Sequence, residues 1–200
     1  MSRNNHIYEL YLDYSKVNHP NLHLCCLLSY ACFLRPHQEI RNLYVHHFKK
    51  EFTEIHLSGN ENKGGKVRVV YIPEYVRKEL LKVVSSLKTN DNIFTCLPHS
   101  FNDAYFNTAW TRMWIKMEKI GLIKESQTIY SFRHTEAVKV YNKTKDIHIL
   151  QQLLGHSDMI VTLKYLRGLG ETNNEDLRNV LPELQAQAIL FHIKSLSAKL

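Results

Sequence analysis

Residues 130–165, YSFRHTEAVKVYNKTKDIHILQQLLGHSDMIVTLKY, decide how the rest of this chain is read. Ser131, Asp146 and Ser157 or Asp158 are side chains that accept hydrogen bonds from the free N–H groups at a helix start. They divide the stretch into predicted helices over 131–143, 146–154 and 158–167. Gly155 supplies the turn that lets His156 face away from its helix. A Tyr-x-x-Arg, a Leu-Leu-Gly-His and a downstream tyrosine, Tyr165, are thereby carried on short neighbouring helices.

Working toward the N-terminus, Gly121 closes a predicted helix over 101–120 that sets Trp110, Trp114 and Met117 on a packing face. Pro73 opens another over PEYVRKELLKVVSSL. TEIHLSG and KVRVVYIP read as two strands flanking a turn from Gly59 to Gly65, with Lys63 in the turn and Lys66 just beyond it, both exposed. HQEIRNLYV, residues 37–45, reads as a short helix. In PNLHLCCLLSYACFL, residues 20–34, apolar side chains cover nearly the whole circumference, the pattern of a central buried helix with Pro20 in its first turn. Pro36 pushes the residue before it out of the α region, so Arg35 is expected at the helix end, where it needs an anionic partner.

Residues 1–18 place Ile7, Leu10, Tyr11 and Tyr14 at helical spacing. Beyond Gly168 and Gly170 a polar strip, ETNNED, precedes a predicted helix over about 182–198 with Leu184, Ala188 and Phe191 along one stripe. The expected fold class is mainly α with a small antiparallel β-sheet (α+β). The expected organisation is a linker or short helix over 1–19, a catalytic domain over 20–170 and a tail helix within 171–200.

At 200 residues, 44% hydrophobic and 22% charged, the chain can bury a real core. It has no run of eighteen apolar residues and no signal-type opening, which makes the cytoplasm the default expectation and gives no reason to expect a membrane partner. Cys25, Cys26, Cys32 and Cys96 lack Cys-x-x-Cys spacing and are expected as free thiols. Twelve histidines show neither the His-Glu-x-x-His pairing nor a cysteine partner, so neither a metal nor another cofactor is expected. The formal charge of +7 points to an anionic partner, because a basic face gains affinity for phosphate by releasing condensed counterions.

Four boxes, taken in order, give that partner a form. CFLRPHQEIRNL resembles the arginine box of the tyrosine recombinases of the phage-integrase family; Gln38 stands where that box places its carboxylate, and Glu39 follows one residue later. KGGKVRVVYIP is similar to the family's β-hairpin with a lysine in its turn, YSFRHTEA to its His-x-x-Arg-His-Thr box with Tyr130 in the first position, and LLGHSDMIVTLKY to its Leu-Gly-His-Ser…Thr-x-x-Tyr ending. The resemblance covers roughly residues 20–170. It implies that Arg35 and Arg133 are catalytic arginines, Lys63 the general acid with Lys66 its rival, His156 a proton or hydrogen-bond partner, and Tyr165 the nucleophile. Tyr130 is either a phosphate donor or a core aromatic, and Lys66, Arg68 and His134 are expected on DNA.

Physical chemistry leads to the same residues. Breaking a phosphodiester without a metal requires other positive charge against the non-bridging oxygens, and two forked, permanently charged guanidiniums provide it. A phenol attacks as its anion, and a lysine on a turn, desolvated against DNA, can protonate the leaving 5′-oxygen. The resemblance thus implies a site-specific recombinase or integrase that cuts duplex DNA through a 3′-phosphotyrosyl link without metal or ATP. It further implies a tetrameric synapse of protomers, the tail helix docked on a neighbour, and work at the bacterial nucleoid. Nothing like the family's amino-terminal helical domain precedes Pro20, so a piece of a longer integrase, binding DNA weakly and salt-sensitively in isolation, is expected. A non-enzymatic or inactive DNA-binding relative and a type IB topoisomerase-like enzyme are the alternatives.

Overall fold

Helix α2, Pro20–Ala31, runs through the middle of the protein, and its residues from Leu22 to Ser29 are all buried. In the computed structural model the backbone is described for residues 3–62, 65–121 and 127–166, with side chains from residue 11 onward. Met1–Arg167 form one compact unit; a second, Gly168–Leu200, lies outside the described residues, as does the expected tail helix.

Apolar residues one helical turn apart explain why the other helices wrap α2. Helix α1, Arg3–Asn18, brings Tyr11 against Trp110 and Phe132, with ring centroids 4.9 and 5.0 Å away. Helix α3, Glu74–Val84, buries Val76, Leu80 and Val84. Helix α4, Tyr105–Lys119, buries Phe106, Trp110, Met113 and Met117. Strands β1, Phe48–Lys49, β2, Glu54–Leu57, and β3, Arg68–Tyr71, form an antiparallel sheet in the order β1-β2-β3. Ile55 pairs with both Phe48 and Val70 and turns the sheet's apolar face to the core.

Helices α5, Tyr130–Thr144, α6, Ile147–Leu154, and α7, Met159–Leu166, complete the described fold. A second, smaller core of Phe33, Ala137, Leu150 and Leu154 packs them together, with Tyr165 and Leu166 against it. Asp146 caps α6 by accepting from the amides of His148 and Ile149 at 2.7 and 3.1 Å. Asp158 accepts from the amide of Ile160 at the start of α7. Gly155 adopts the left-handed conformation, with φ of 60°, and turns the chain out of α6.

Several expectations need correction. The buried helix ends at Ala31, because Phe33 takes a left-handed conformation with φ of 53°; Arg35 therefore sits four residues beyond the helix rather than at its end. Residues 37–45 form turns and a 3-10 turn at Ile40–Asn42, since Leu43 is already extended and Tyr44 bridges to Asn92. Helix α4 starts at Tyr105, not 101, because the Asn102 side chain accepts from the amide of Ala104 and holds a turn there. Ser131 lies inside α5, its hydroxyl accepting from the amide of Thr128 in the preceding turn. Strand β1, two residues long, was too short to leave a pattern. Cys25, Cys26 and Cys32 are buried free thiols and Cys96 an exposed one, as expected. No helix among the described residues is long and apolar enough to cross a membrane.

Leu28, fully buried in α2, tests the packing: Leu28→Ala should cost about 2–5 kcal/mol, read from chemical denaturation, and a cost below ~1 kcal/mol would show that α2 is not central.

Candidate active site

The end of α6 is where the polar residues gather. The last carbonyls of an α-helix have no intrahelical partner and lie at the negative end of its dipole. Here three arginines from distant parts of the chain take them: Arg68 Nη2 donates to the Leu153 carbonyl at 2.6 Å, Arg133 Nη2 to that of Leu154 at 2.6 Å, and Arg35 Nη2 to that of Gly155 at 3.4 Å. The left-handed turn at Phe33 adds a fourth acceptor, its carbonyl receiving Arg68 Nη2 at 3.1 Å and Arg133 Nη1 at shorter range.

One carboxylate lies among the three guanidiniums. Glu39, fully buried, accepts from Arg35 Nη1 at 2.6 Å, from the Arg35 amide at 2.7 Å and from Arg68 Nη1 through both oxygens at 3.0 Å. Glu39 therefore fills the carboxylate role although it stands one position later than the family spacing; the turn after Pro36 brings it back onto Arg35. Among the described residues this cluster sets three positive groups against one negative.

A cavity of about 660 Å³ opens beside this cluster, with Arg35, Tyr130, Gly155, His156 and Tyr165 among its lining residues. Arg133 is wholly buried and not among them. Burial draws its pKa down to about 10, Tyr165 partly restores it and Arg35 and Arg68 depress it further, so it stays charged at neutral pH. Its Nε has no hydrogen-bond partner. Tyr130 is 38% exposed and lines the cavity, so it is not a core aromatic. Burial raises its pKa, opposed by Arg133 and Arg35.

The rings of His156 and His134 lie 5.2 and 5.4 Å from that of Tyr165. His156 Nδ1 is 3.1 Å from the hydroxyl of the fully buried Thr162, so a hydroxyl proton given to Nδ1 leaves Nε2–H to donate. Burial first, then Arg133, Arg35 and Arg68, bring the His156 pKa down to about 4, and the imidazole is neutral near pH 7. Thr162 was part of the sequence motif without a role; its position three residues before Tyr165 on α7 is the signal that could have assigned it.

The remaining expected residues separate. Lys63 lies outside the described residues. Lys66 and His134 are exposed, as contact with DNA requires. Arg68 is the correction: its side chain is 8% exposed and turned inward onto Glu39, Phe33 and Leu153, so it is spent inside the protein and not displayed to DNA. Among the described residues, His46, His47 and Glu61 are the one group whose ligand atoms approach closely enough for a metal. Both ring nitrogens of His47 are engaged, Nδ1 by the Tyr44 amide at 2.9 Å and Nε2 by Glu61 at 2.7 Å, a tautomer that leaves no lone pair for an ion.

The model of the phage integrase family matches residues 6–170. Relatives include the probable integrase/recombinase YoeC of Bacillus subtilis, 30% identical over 115 residues, covering 56% of this chain and 60% of that protein. The tyrosine recombinase XerA of Pyrococcus horikoshii is 29% identical over 154 residues, covering 72% of this chain and 49% of that one. The chain thus spans about half the length of the curated relatives it matches. Among solved structures, the Tn1549 transposon integrase in complex with a circular intermediate DNA superposes with a TM-score of 0.69 at 16% identity, over 90% of this chain and 63% of that one. A XerA recombinase crystal structure gives 0.62 at 21% identity, over 92% and 66%. The mainly helical fold with its small antiparallel sheet is therefore that of these recombinases.

Two measurements check the geometry. A methyl group on Gly155 would lie 2.6 Å from Arg68 Nε, in a left-handed position that already disfavours side chains, so Gly155→Ala should lower stability by about 1–3 kcal/mol in denaturant titration. The His156 ring signal should stay in its neutral form from pH 8 to 5.5; as its folded pKa lies below the usual 6.5, stability should fall as pH drops from 6.5 toward 4. By these residues, and by a family model that covers most of its length, the chain belongs to the phage integrase family.

Proposed function

We propose that this chain is the catalytic domain of a site-specific DNA recombinase or integrase that cuts and rejoins duplex DNA through a 3′-phosphotyrosyl intermediate. One observation carries the reading: Arg35, Tyr130, His156 and Tyr165 line the same cavity, with the buried Arg133 held on the helix end beside it. The scissile phosphate would enter that cavity. Arg35 and Arg133 offset the charge that builds on its non-bridging oxygens, with Tyr130 and the neutral His156 donating hydrogen bonds beside them.

In the cutting step the Tyr165 oxygen passes its proton to solvent water and bonds to phosphorus as the bond to the 5′-oxygen breaks, and Lys63 protonates that oxygen. Rejoining is the reverse attack by a 5′-hydroxyl of a partner duplex. The phosphotyrosyl link conserves the bond energy, so ATP is not needed, and the guanidiniums do the work that a metal does elsewhere. The same reading has Lys66 and His134 on the DNA, several protomers joined on two duplexes with residues 171–200 reaching a neighbour, and the protein at work on cytoplasmic, nucleoid DNA.

A nicked suicide substrate, which loses its 5′-end and traps the link, is the test. The native chain should form a covalent adduct, while Tyr165→Phe should bind the same DNA and form none; an adduct with that variant would remove Tyr165 from the role. Lys63→Ala should cut slowly, and a 5′-thio leaving group, which needs no proton, should restore its rate; failure to restore it would move the acid elsewhere, with Lys66 the next choice.

A further inference from the structure

Arg68 enters the family resemblance only as part of a basic strand, yet its surroundings are those of a designed joint. It belongs to β3, and its register partner on β2 is Leu57. From there its side chain crosses to three other parts of the chain: the Glu39 carboxylate, the Phe33 carbonyl and the Leu153 carbonyl. These acceptors lie on the segment that carries Arg35 and on the helix end that carries His156. Its Nε, Cδ and Cζ also stand 2.6–2.9 Å from where a Cβ on Gly155 would lie, so the glycine before His156 is required by Arg68 as well as by its own backbone.

We propose that Arg68 is a positioning residue for strand cleavage, locking strand β3 to the Arg35–Glu39 pair and to the α6 terminus so that Arg35 and His156 stand in one fixed arrangement. The proposal rests on the reading of Tyr165 as the nucleophile only for its effect on rate. Without Arg68, Glu39 keeps Arg35 but loses its second partner, and β3 loses its polar tie to α6. A lysine cannot replace it fully, because one ammonium cannot serve a carboxylate and two carbonyls as a fork does.

Arg68 should act differently from residues that only stabilise the fold. Its charge faces His156 together with Arg35 from the segment after α2, Arg133 from α5 and Glu39, while the Tyr165 ring lies 5.2 Å from that of His156 and 5.4 Å from that of His134. Burial is the larger cause of the low His156 pKa and the arginines the next, so removing the Arg68 charge moves the titration upward, whereas a loosening that leaves the ring buried does not.

The experiment compares the native chain with Arg68→Met and Arg68→Lys in three readings: melting, equilibrium binding to a duplex carrying the substrate site, and the rate of adduct formation on the nicked substrate. His156 is titrated by NMR in the same samples. The methionine variant should melt cooperatively, bind DNA within about threefold of the native chain and cut about a hundredfold more slowly, the order expected when a reacting geometry is released by an ångström. The lysine variant should recover part of that rate, and the His156 midpoint should rise in the methionine variant but not in the lysine one. Should methionine prevent folding, the lysine variant alone decides, being expected to fold, bind and cut slowly.

Native cutting by a folded Arg68→Met, or by a folded lysine variant where methionine fails, overturns the proposal. So does a rate loss matched by an equal loss of DNA binding, which would return Arg68 to the DNA surface. An unmoved His156 midpoint in the folded methionine variant also counts against it. Absence of any adduct with the native chain would refute the nucleophile reading instead, and the NMR titration would still judge Arg68.

Discussion

The C-terminus of α6 presents the carbonyls of Leu153, Leu154 and Gly155, and the site depends on what satisfies them. A backbone that ended there in water would need nothing further; one that ends inside the protein must find donors. The donors are guanidiniums from the loop after α2, from β3 and from α5, brought together over 85, 21 and 120 residues of sequence for Arg68, Arg133 and Arg35. Each is a charge-assisted hydrogen bond, worth about 1.5–3 kcal/mol where it is well made. The helix dipole favours cations at this end, and together these effects offset part of the cost of burying three charges close to one another.

That cost is where structure passes into function. Among the described residues Glu39 is the single carboxylate bonded to Arg35 and Arg68, and Arg133 has carbonyls but no carboxylate. The mutual repulsion shows in Arg133 and His156, both pulled toward their neutral forms by burial and by the neighbouring arginines. A phosphate diester entering the cavity would relieve it, and relieve it more as charge builds on the phosphoryl oxygens. On the proposed function the site would meet charge that develops in the reaction, the condition under which electrostatic stabilisation accelerates chemistry.

Much of this was legible in the sequence because it depends on local rules. Pro20, Pro73, Asp146 and Gly155 mark helix starts and turns by their own backbone preferences, and the structure follows them. Tyr130, His156 and Tyr165 were legible as a set because they sit at fixed spacings on α5, in the loop after α6 and on α7. What could not be read was long-range. Phe33 is a bulky residue in a left-handed turn, a choice made by packing against Ala137, Leu150 and Leu154 and not by its own preference. Arg68 reads as an exposed basic strand residue because alternation gives no sign that Glu39 and two carbonyls lie beneath it.

The central claim is that this arrangement serves Tyr165 as the attacking group. The most direct measurement is to digest the adduct formed on a nicked duplex and find by mass spectrometry which residue carries the 3′-phosphonucleotide. The account expects the peptide spanning Tyr165, modified on that tyrosine alone. The label on Tyr130, on any other residue, or on none with duplex bound, would contradict it.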